Sequence, residues 1–555
     1  MQIVIPMSGF GERFRKAGYN VPKPLIEIDG KPIIAHVIDM FPGETDFLFI
    51  CNKDHLADAE FRMEKILRRY CPTGRIVGID PHKKGPVHAV LQVADMIDKQ
   101  AQTVVNYCDF TCYWSWPHFK DFVRQCACDG AIPAYKGFHP HSLGNTNYAY
   151  MRDSGGWVSD IQEKQPYTNN RMQEYASSGT YYFASGAVML DAFERTVAQN
   201  LNVGGEYYVS LAYKPLLSSG ARVAVYELQH FMQWGTPEDV RTYRMWSDTF
   251  LKLGAGVIDH PVAPAGTVIV PMAGLGKRFA DEGYTVTKPL IEVSGRPMVI
   301  QATNDLPRAE RHVFVLRHDM PGHAEVARLL VETYPCVTLV NLPGVTEGQA
   351  CSALMGLDAV EREPDGRVAE PVTFGACDNG ALYDGERLHT MLDDAEIDVV
   401  VWGVSGYTNA AQNPTMYGWI DADGDVIRRV AVKQPLADPS TDPLVIGAFT
   451  FRRASDFRRC VDHMITRGAR VNGEFYIDTC INDAIELGLK CRLFKIDAYL
   501  CWGTPNDLRT FNYWQSCFHK WPSHPYELAH DARVPATKVE QLKAAYREQL
   551  PALPA

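Results

Sequence analysis

The chain opens on an apolar run inside Met-Gln-Ile-Val-Ile-Pro-Met, and similar short runs recur at Phe47–Cys51, Thr103–Asn106 and Val399–Trp402. Runs of this length, rich in β-branched residues, are the pattern of strands buried on both faces. Between them lie stretches with apolar positions at helical spacing, such as Leu56 to Arg69 and Val87 to Ile97. The alternation predicts an α/β fold, a mostly parallel mixed sheet flanked by helices, with ligands bound beyond the carboxyl ends of the strands.

The pattern then repeats. Ile-Val-Ile-Pro-Met-Ser-Gly-Phe-Gly-Glu-Arg13 is matched by Val-Ile-Val-Pro-Met-Ala-Gly-Leu-Gly-Lys-Arg278, and Lys23 and Gly30 are matched by Lys288 and Gly295 at the same offset. Four further blocks follow in the same order. Cys-Asp109 pairs with Cys-Asp378, and Lys164-Gln-Pro with Lys433-Gln-Pro. Gly-Glu206-Tyr-Tyr pairs with Gly-Glu474-Phe-Tyr, and Trp234-Gly-Thr-Pro-Glu-Asp239 with Trp502-Gly-Thr-Pro-Asn-Asp507. Small drifts in offset between blocks are what loops of changing length produce. A whole domain of about 250 residues is therefore present twice, which predicts domains at 1–252 and 267–520, a Gly- and Pro-rich linker at 253–266 and a tail at 521–555. The tail reads as packing or assembly material, with a helix-like stretch from Thr537 to Leu550.

With 46% hydrophobic and 22% charged residues over 555, each half can bury its own core. The net charge of −11 argues against nucleic acid or an anionic membrane as a partner, so any phosphate must be met by a local cluster. Apolar stretches fall short of the roughly 20 residues of a membrane span, and the opening residues lack a basic leader, so the expectation is a cytoplasmic protein. Fourteen scattered cysteines fit reduced thiols, and Cys126-Ala-Cys128 lacks a partner pair for structural zinc.

The first strand of each copy runs into Gly9-Phe-Gly11-Glu-Arg13 or Gly274-Leu-Gly276-Lys-Arg278. Paired glycines let backbone N–H groups approach a phosphate chain at a helix start. Phe14 and Phe279 occupy the place of the third glycine of a dinucleotide fingerprint, and the Walker pattern is absent, which disfavours both of those sites. Ten residues on, Pro22-Lys23-Pro24 and Thr287-Lys288-Pro289 add a stiffened lysine, suited with the arginine to charge developing in phosphoryl transfer. Asp109 and Asp378, each closing a strand, are plausible hard-cation ligands, since Mg²⁺ takes one or two carboxylates plus substrate phosphates.

Gly-x-Gly-x-Arg followed by the proline-flanked lysine resembles the sugar nucleotidylyltransferases, the nucleoside-diphosphate-sugar pyrophosphorylases, over roughly residues 1–245 and 266–515. The resemblance implies two tandem Rossmann-like (GT-A-like) domains that transfer NMP from an NTP to a phosphorylated acceptor, by default a sugar 1-phosphate, for activated-sugar and polysaccharide synthesis. It gives Arg13, Lys23, Arg278 and Lys288 the catalytic roles and Gly9, Gly11, Gly274 and Gly276 the triphosphate. It gives Gly85 and the Gly348-Gln349-Ala350 segment the base, and Asp109 and Asp378 the Mg²⁺. Acceptor contacts fall to Lys164, Gly179, Glu206, Lys433, Gly447 and Glu474. Departures are visible. The first copy has Gly85-Pro-Val where the second has Gly348-Gln-Ala, and Val432 stands where the first copy has Glu163. Gln233 and Cys501 stand where the family carries a second metal carboxylate, leaving Glu206 and Glu474 as substitutes or as structural residues. The acceptor pockets are expected to differ. Alternatives are a phosphocholine-like acceptor, one catalytic half with a binding or assembly half, and a glycosyltransferase, which usually carries an Asp-x-Asp motif not found at Asp109 or Asp378. A homo-oligomer is compatible with all of these.

Overall fold

The computed structural model describes residues 1–256, 264–364 and 366–555. Of the expected linker, residues 257–263 lie outside the described residues, and helix Pro237–Gly254 runs two residues past the expected boundary at 252. The chain forms two compact units. The first comprises Met1–Ser247, Lys520–His524 and Tyr546–Ala555, and the second Asp248–His519 and Pro525–Ala545.

The first unit is built on a ten-stranded sheet. Its order from one edge is Arg75–Ile79, Phe47–Asn52, Gln2–Met7, Thr103–Asn106, Thr180–Phe183, Gly130–Tyr135, Val223–Glu227, Trp157–Glu163, Ala149–Ser154 and Tyr175–Ser177. The first four strands are parallel, and Thr180–Phe183 returns antiparallel. Phe47–Asn52 is buried at every position, as its unbroken apolar run requires. The C-terminus closes on this unit, with the Ala555 amide donating to Gly155 O at 2.8 Å and Trp157 Nε1 donating to Ala555 O at 3.1 Å.

The second unit has nine strands in the same order: Val337–Leu342, Arg311–Arg317, Thr267–Pro271, Val372–Phe374, Leu444–Phe451, Val399–Val404, Cys491–Lys495, Val426–Val432 and Gly418–Asp423. One difference separates the two sheets. Leu444–Phe451 is a single strand pairing with both Val399–Val404 and Gly418–Asp423, whereas the first unit divides that span between Tyr175–Ser177 and Thr180–Phe183. The tail is anchored here by a buried ion pair, Arg533 Nη2 to Asp305 Oδ1 at 2.8 Å.

Three expected helices are shorter than their periodicity suggested. Leu56 to Arg69 splits into Lys53–Ala57 and Met63–Tyr70, because Asp58 Oδ1 accepts from the Glu60 amide and Arg62 turns left-handed at φ 50°. A side chain that satisfies the backbone locally competes with helix continuation. Val87 to Ile97 resolves into Pro86–Leu91 and a 3₁₀ turn at Ala94–Met96, and the tail stretch into a 3₁₀ turn at Ala536–Lys538 and helix Val539–Ala545. All fourteen cysteines are free, Cys126 and Cys128 among the buried ones. Among the described residues no helix is long and apolar enough to cross a membrane.

Candidate active site

A cleft of about 590 Å³ lies at the carboxyl ends of the parallel strands of the first unit. All nine site residues expected of that copy line it: Gly9, Gly11, Arg13, Lys23, Gly85, Asp109, Lys164, Gly179 and Glu206. The loop after Gln2–Met7 turns left-handed at Gly11 (φ 62°) to start helix Glu12–Lys16, and Gly276 (φ 61°) does the same before Lys277–Asp281. Arg13 and Arg278 therefore ride in the first turn of matching helices.

Lys23 and Lys288 each begin a 3₁₀ turn closed by the following Pro-Leu. Lys23 Nζ donates to Asp109 Oδ2 at 2.7 Å, and Lys288 Nζ to Asp378 Oδ2 at 2.5 Å. Burial works against each ammonium, but the carboxylate offsets it and holds both lysines above their ordinary pKa. Each aspartate is in turn fixed by the Trp-Gly-Thr-Pro block. Strand Phe110–Tyr113 pairs with His230–Gln233, and the Trp234 amide donates to Asp109 O at 2.7 Å. Asn379–Leu382 pairs with Ala498–Cys501, and the Trp502 amide donates to Asp378 O at 2.9 Å. Both tryptophans are fully buried, which explains why the block recurs.

The glycine segments are zipped to the Gly-Glu-aromatic-Tyr blocks. The Tyr207 amide donates to Lys84 O at 2.9 Å and the Val87 amide to Tyr207 O at 3.1 Å. The second unit repeats this with Phe475 N to Glu347 O at 2.8 Å and Ala350 N to Phe475 O at 3.0 Å. A Cβ on Gly85 would stand 2.7 Å from Tyr207 N, and one on Gly348 would stand 2.5 Å from Phe475 N, so both glycines are required by close backbone approach. Gln349 and Ala350 open helix Gln349–Glu361 directly behind Gly348.

Lys164 and Lys433 share a left-handed backbone, φ 58° and 57°, that non-glycine residues adopt at a cost. The turn aims each at the tyrosine two residues after the repeated glutamate. Lys164 Nζ donates to the Tyr208 hydroxyl at 2.5 Å, which itself donates to Glu206 Oε2 at 2.7 Å, and Lys433 Nζ lies 5.1 Å from the Tyr476 ring centre. Gly179 (φ 99°) packs on Tyr107 and Phe110, and Gly447 (φ 82°) on Ala376 and Asn379. Glu206 is thus tied to the lysine, and Glu474 bonds Tyr476 in the same way.

The carboxylate that flanks Gly235 together with Asp109 is Asp239, which sequence reading aligned but did not single out. Its Oδ2 accepts from the Thr236 amide at 2.8 Å while its own amide donates to Thr236 Oγ1, a reciprocal helix cap, and Gln233 Nε2 donates to its Oδ1. Burial pushes it up to about 6. Asp507 caps its helix through Thr504 in the same manner, beside Asp378. The signal was the repeated Thr-Pro-x-Asp. The wall formed by Tyr148 and Phe231, 5.8 Å apart, had no signal, because its members come from distant segments.

Asp109 and Asp378 do not close a strand as expected but stand in the turns directly before Phe110–Tyr113 and Asn379–Leu382, where each commits one oxygen to the lysine and keeps a carboxylate suited to a hard cation. The other close grouping of potential ligands among the described residues is His463, Asp483 and Glu486, where Arg467 already donates to both oxygens of Asp483.

A glycine loop opening on a helix, a lysine held by an aspartate and a cleft of this size suit the binding of a nucleotide's phosphates. Residues 3–220 match the nucleotidyl transferase family model. Mannose-1-phosphate guanylyltransferase catalytic subunit beta of Danio rerio is 24% identical over 286 residues, covering 48% of this chain and 73% of the relative. The bifunctional protein GlmU of Paraburkholderia phymatum is 27% identical over 225 residues, covering 40% of this chain and 46% of GlmU, so the chain spans about half the length of that relative. A solved nucleoside-diphosphate-sugar pyrophosphorylase from Vibrio cholerae RC9 aligns at TM-score 0.36 and 22% identity, over 44% of this chain and 99% of that one. The N-terminal unit is thus similar to nucleotidyltransferases that act in nucleotide-sugar synthesis.

Proposed function

We propose that each unit transfers a nucleotidyl group from an NTP to a phosphorylated acceptor, a sugar 1-phosphate in the first unit, and releases pyrophosphate. The observation that carries this reading is the duplicated pair, Lys23 with Asp109 and Lys288 with Asp378, set against the same glycine loop in two sheets of the same strand order. An acceptor phosphate oxygen attacks the α-phosphorus, and the bond from that phosphorus to the pyrophosphate oxygen breaks. Arg13 or Arg278 and the loop amides hold the leaving phosphates, while Lys23 or Lys288 offsets charge building on the α-phosphoryl oxygens. Asp109 or Asp378 would hold a Mg²⁺ ion, which would supply further neutralisation of phosphate charge. Lys164 and Lys433 anchor the acceptor phosphate. The sites are local clusters on an acidic chain, which fits small phosphorylated substrates in the cytoplasm and not a nucleic acid.

The test is pyrophosphate release by separate Lys23→Ala and Lys288→Ala chains, with all four NTPs against a panel of phosphorylated acceptors. Each substitution is expected to abolish a different set of substrate pairs. Loss of all activity with one and none with the other refutes two competent sites.

A further inference from the structure

The two acceptor regions differ at three positions that face one another. In the first unit, Glu163 closes strand Trp157–Glu163 directly opposite Ala149, and Ser210 Oγ donates to Glu163 Oε2 at 2.6 Å. Ala149, Glu163 and Lys164 all line the cleft. In the second unit the same register pair is Val432 opposite Gly418, and the residue four after the repeated glutamate is Asp478 where the first unit has Ser210.

These exchanges are coupled by geometry. A Cβ on Gly418 would stand 2.3 Å from Asp478 Oδ2, so the carboxylate occupies the space that a residue-149-like methyl would fill. Residues directly opposite on an antiparallel ladder project to one face of the sheet. Asp478 therefore places its carboxylate on the face that Glu163 occupies in the first unit. Lys433, the counterpart of Lys164, is the cation whose charge acts on it. The carboxylate lost from the strand at Val432 has been returned from the first turn of helix Ile477–Glu486, with a glycine making room.

We propose that Asp478 is the acceptor-recognising carboxylate of the second unit, and that the exchange of Glu163 with Ser210 for Val432 with Asp478 gives the two units different acceptors. The proposal rests on the reading of the second unit as a transferase. Glu163 gives one oxygen to Ser210, whereas the Asp478 carboxylate is bonded by its own backbone amide and by no other side chain among the described residues, which leaves it acceptor capacity for ligand hydroxyls. The acceptor class this selects bears a phosphate for Lys433 and hydroxyl donors for Asp478. A carboxylate presented from the helix instead of the strand meets a different hydroxyl, or the same one in a different epimer.

The experiment uses the full chain carrying Lys23→Ala, so that only the second unit reports. Pyrophosphate release is measured with the four NTPs against glucose 1-phosphate, mannose 1-phosphate and phosphocholine. With the sugar phosphate it uses, Asp478→Ala is expected to raise the acceptor KM about tenfold or more while the NTP KM stays within about twofold, the loss of hydrogen bonds to a charged group. The triple variant Gly418→Ala, Val432→Glu, Asp478→Ser, which rebuilds the first unit's set, is expected to regain activity and to shift preference toward the first unit's acceptor. An unchanged acceptor KM in Asp478→Ala overturns this proposal alone, as does a parent that accepts only phosphocholine. No release from the parent with any pair overturns the transferase reading of the second unit, and this proposal with it.

Discussion

Replacing Gly85 with alanine tests the idea that the glycine segment is demanded by the fold before any nucleotide arrives. Gly85 sits at φ 85°, ψ 176°, a region reserved almost entirely for glycine, so alanine costs about 1–3 kcal/mol in backbone strain. The new Cβ would also lie 2.7 Å from Tyr207 N and 2.8 Å from Tyr207 O, and backbone atoms cannot swing aside as a side chain could. Relief requires opening the bonds from Tyr207 N to Lys84 O and from Val87 N to Tyr207 O, each contributing about 1 kcal/mol. The expected loss is about 3–5 kcal/mol, a large share of a folding stability of roughly 5–15 kcal/mol. Hydrogen exchange resolved by peptide reads this loss in the first unit separately from the second. The matched control is Gly9→Ala. Nothing beyond its chain neighbours lies within 4 Å of that Cβ, so stability stays within about 0.5 kcal/mol, while on the proposed function the methyl crowds the phosphates and lowers NTP affinity. A Gly85→Ala chain as protected as the parent, with unchanged kinetics, would refute the reasoning.

Further outcomes follow from burial. In the first unit, burial drives His139 down to about 3 and holds His141 and His230 well below their ordinary range. Groups kept neutral in the fold stabilise it fully above the unfolded pKa near 6.5 and lose that contribution as pH falls. The first unit should therefore soften from pH 6.5 to 5, by about 2 kcal/mol for His139 alone, and hydrogen exchange at pH 7.5 and 5.0 checks it. The second unit has His312, pushed down to about 4, as its comparable group among the described residues and should soften less. Arg533→Met strands Asp305, 2% exposed, without its cation, and is expected to destabilise the second unit by about 3–5 kcal/mol in urea unfolding. Conversion of both partners to apolar residues should recover most of that loss.

The sequence alone determined the strand and helix alternation, the duplication and nine of the residues that line the first cleft. Buried strands and glycine turns leave local signatures, and a repeat reports on itself. It also singled out Lys164 and Lys433, although nothing local announced their left-handed backbones. Only the tertiary structure decided which residues meet. It set Asp239 beside Asp109 through the ribbon of Phe110–Tyr113 and His230–Gln233, a pairing made across more than a hundred residues. It tied Glu206 to Lys164 through Tyr208. And it brought the Asp478 carboxylate against Gly418, the residue opposite Val432 on the ladder. Side-chain chemistry is written residue by residue, but a pocket is the product of sheet register, and register is settled only when the whole sheet packs.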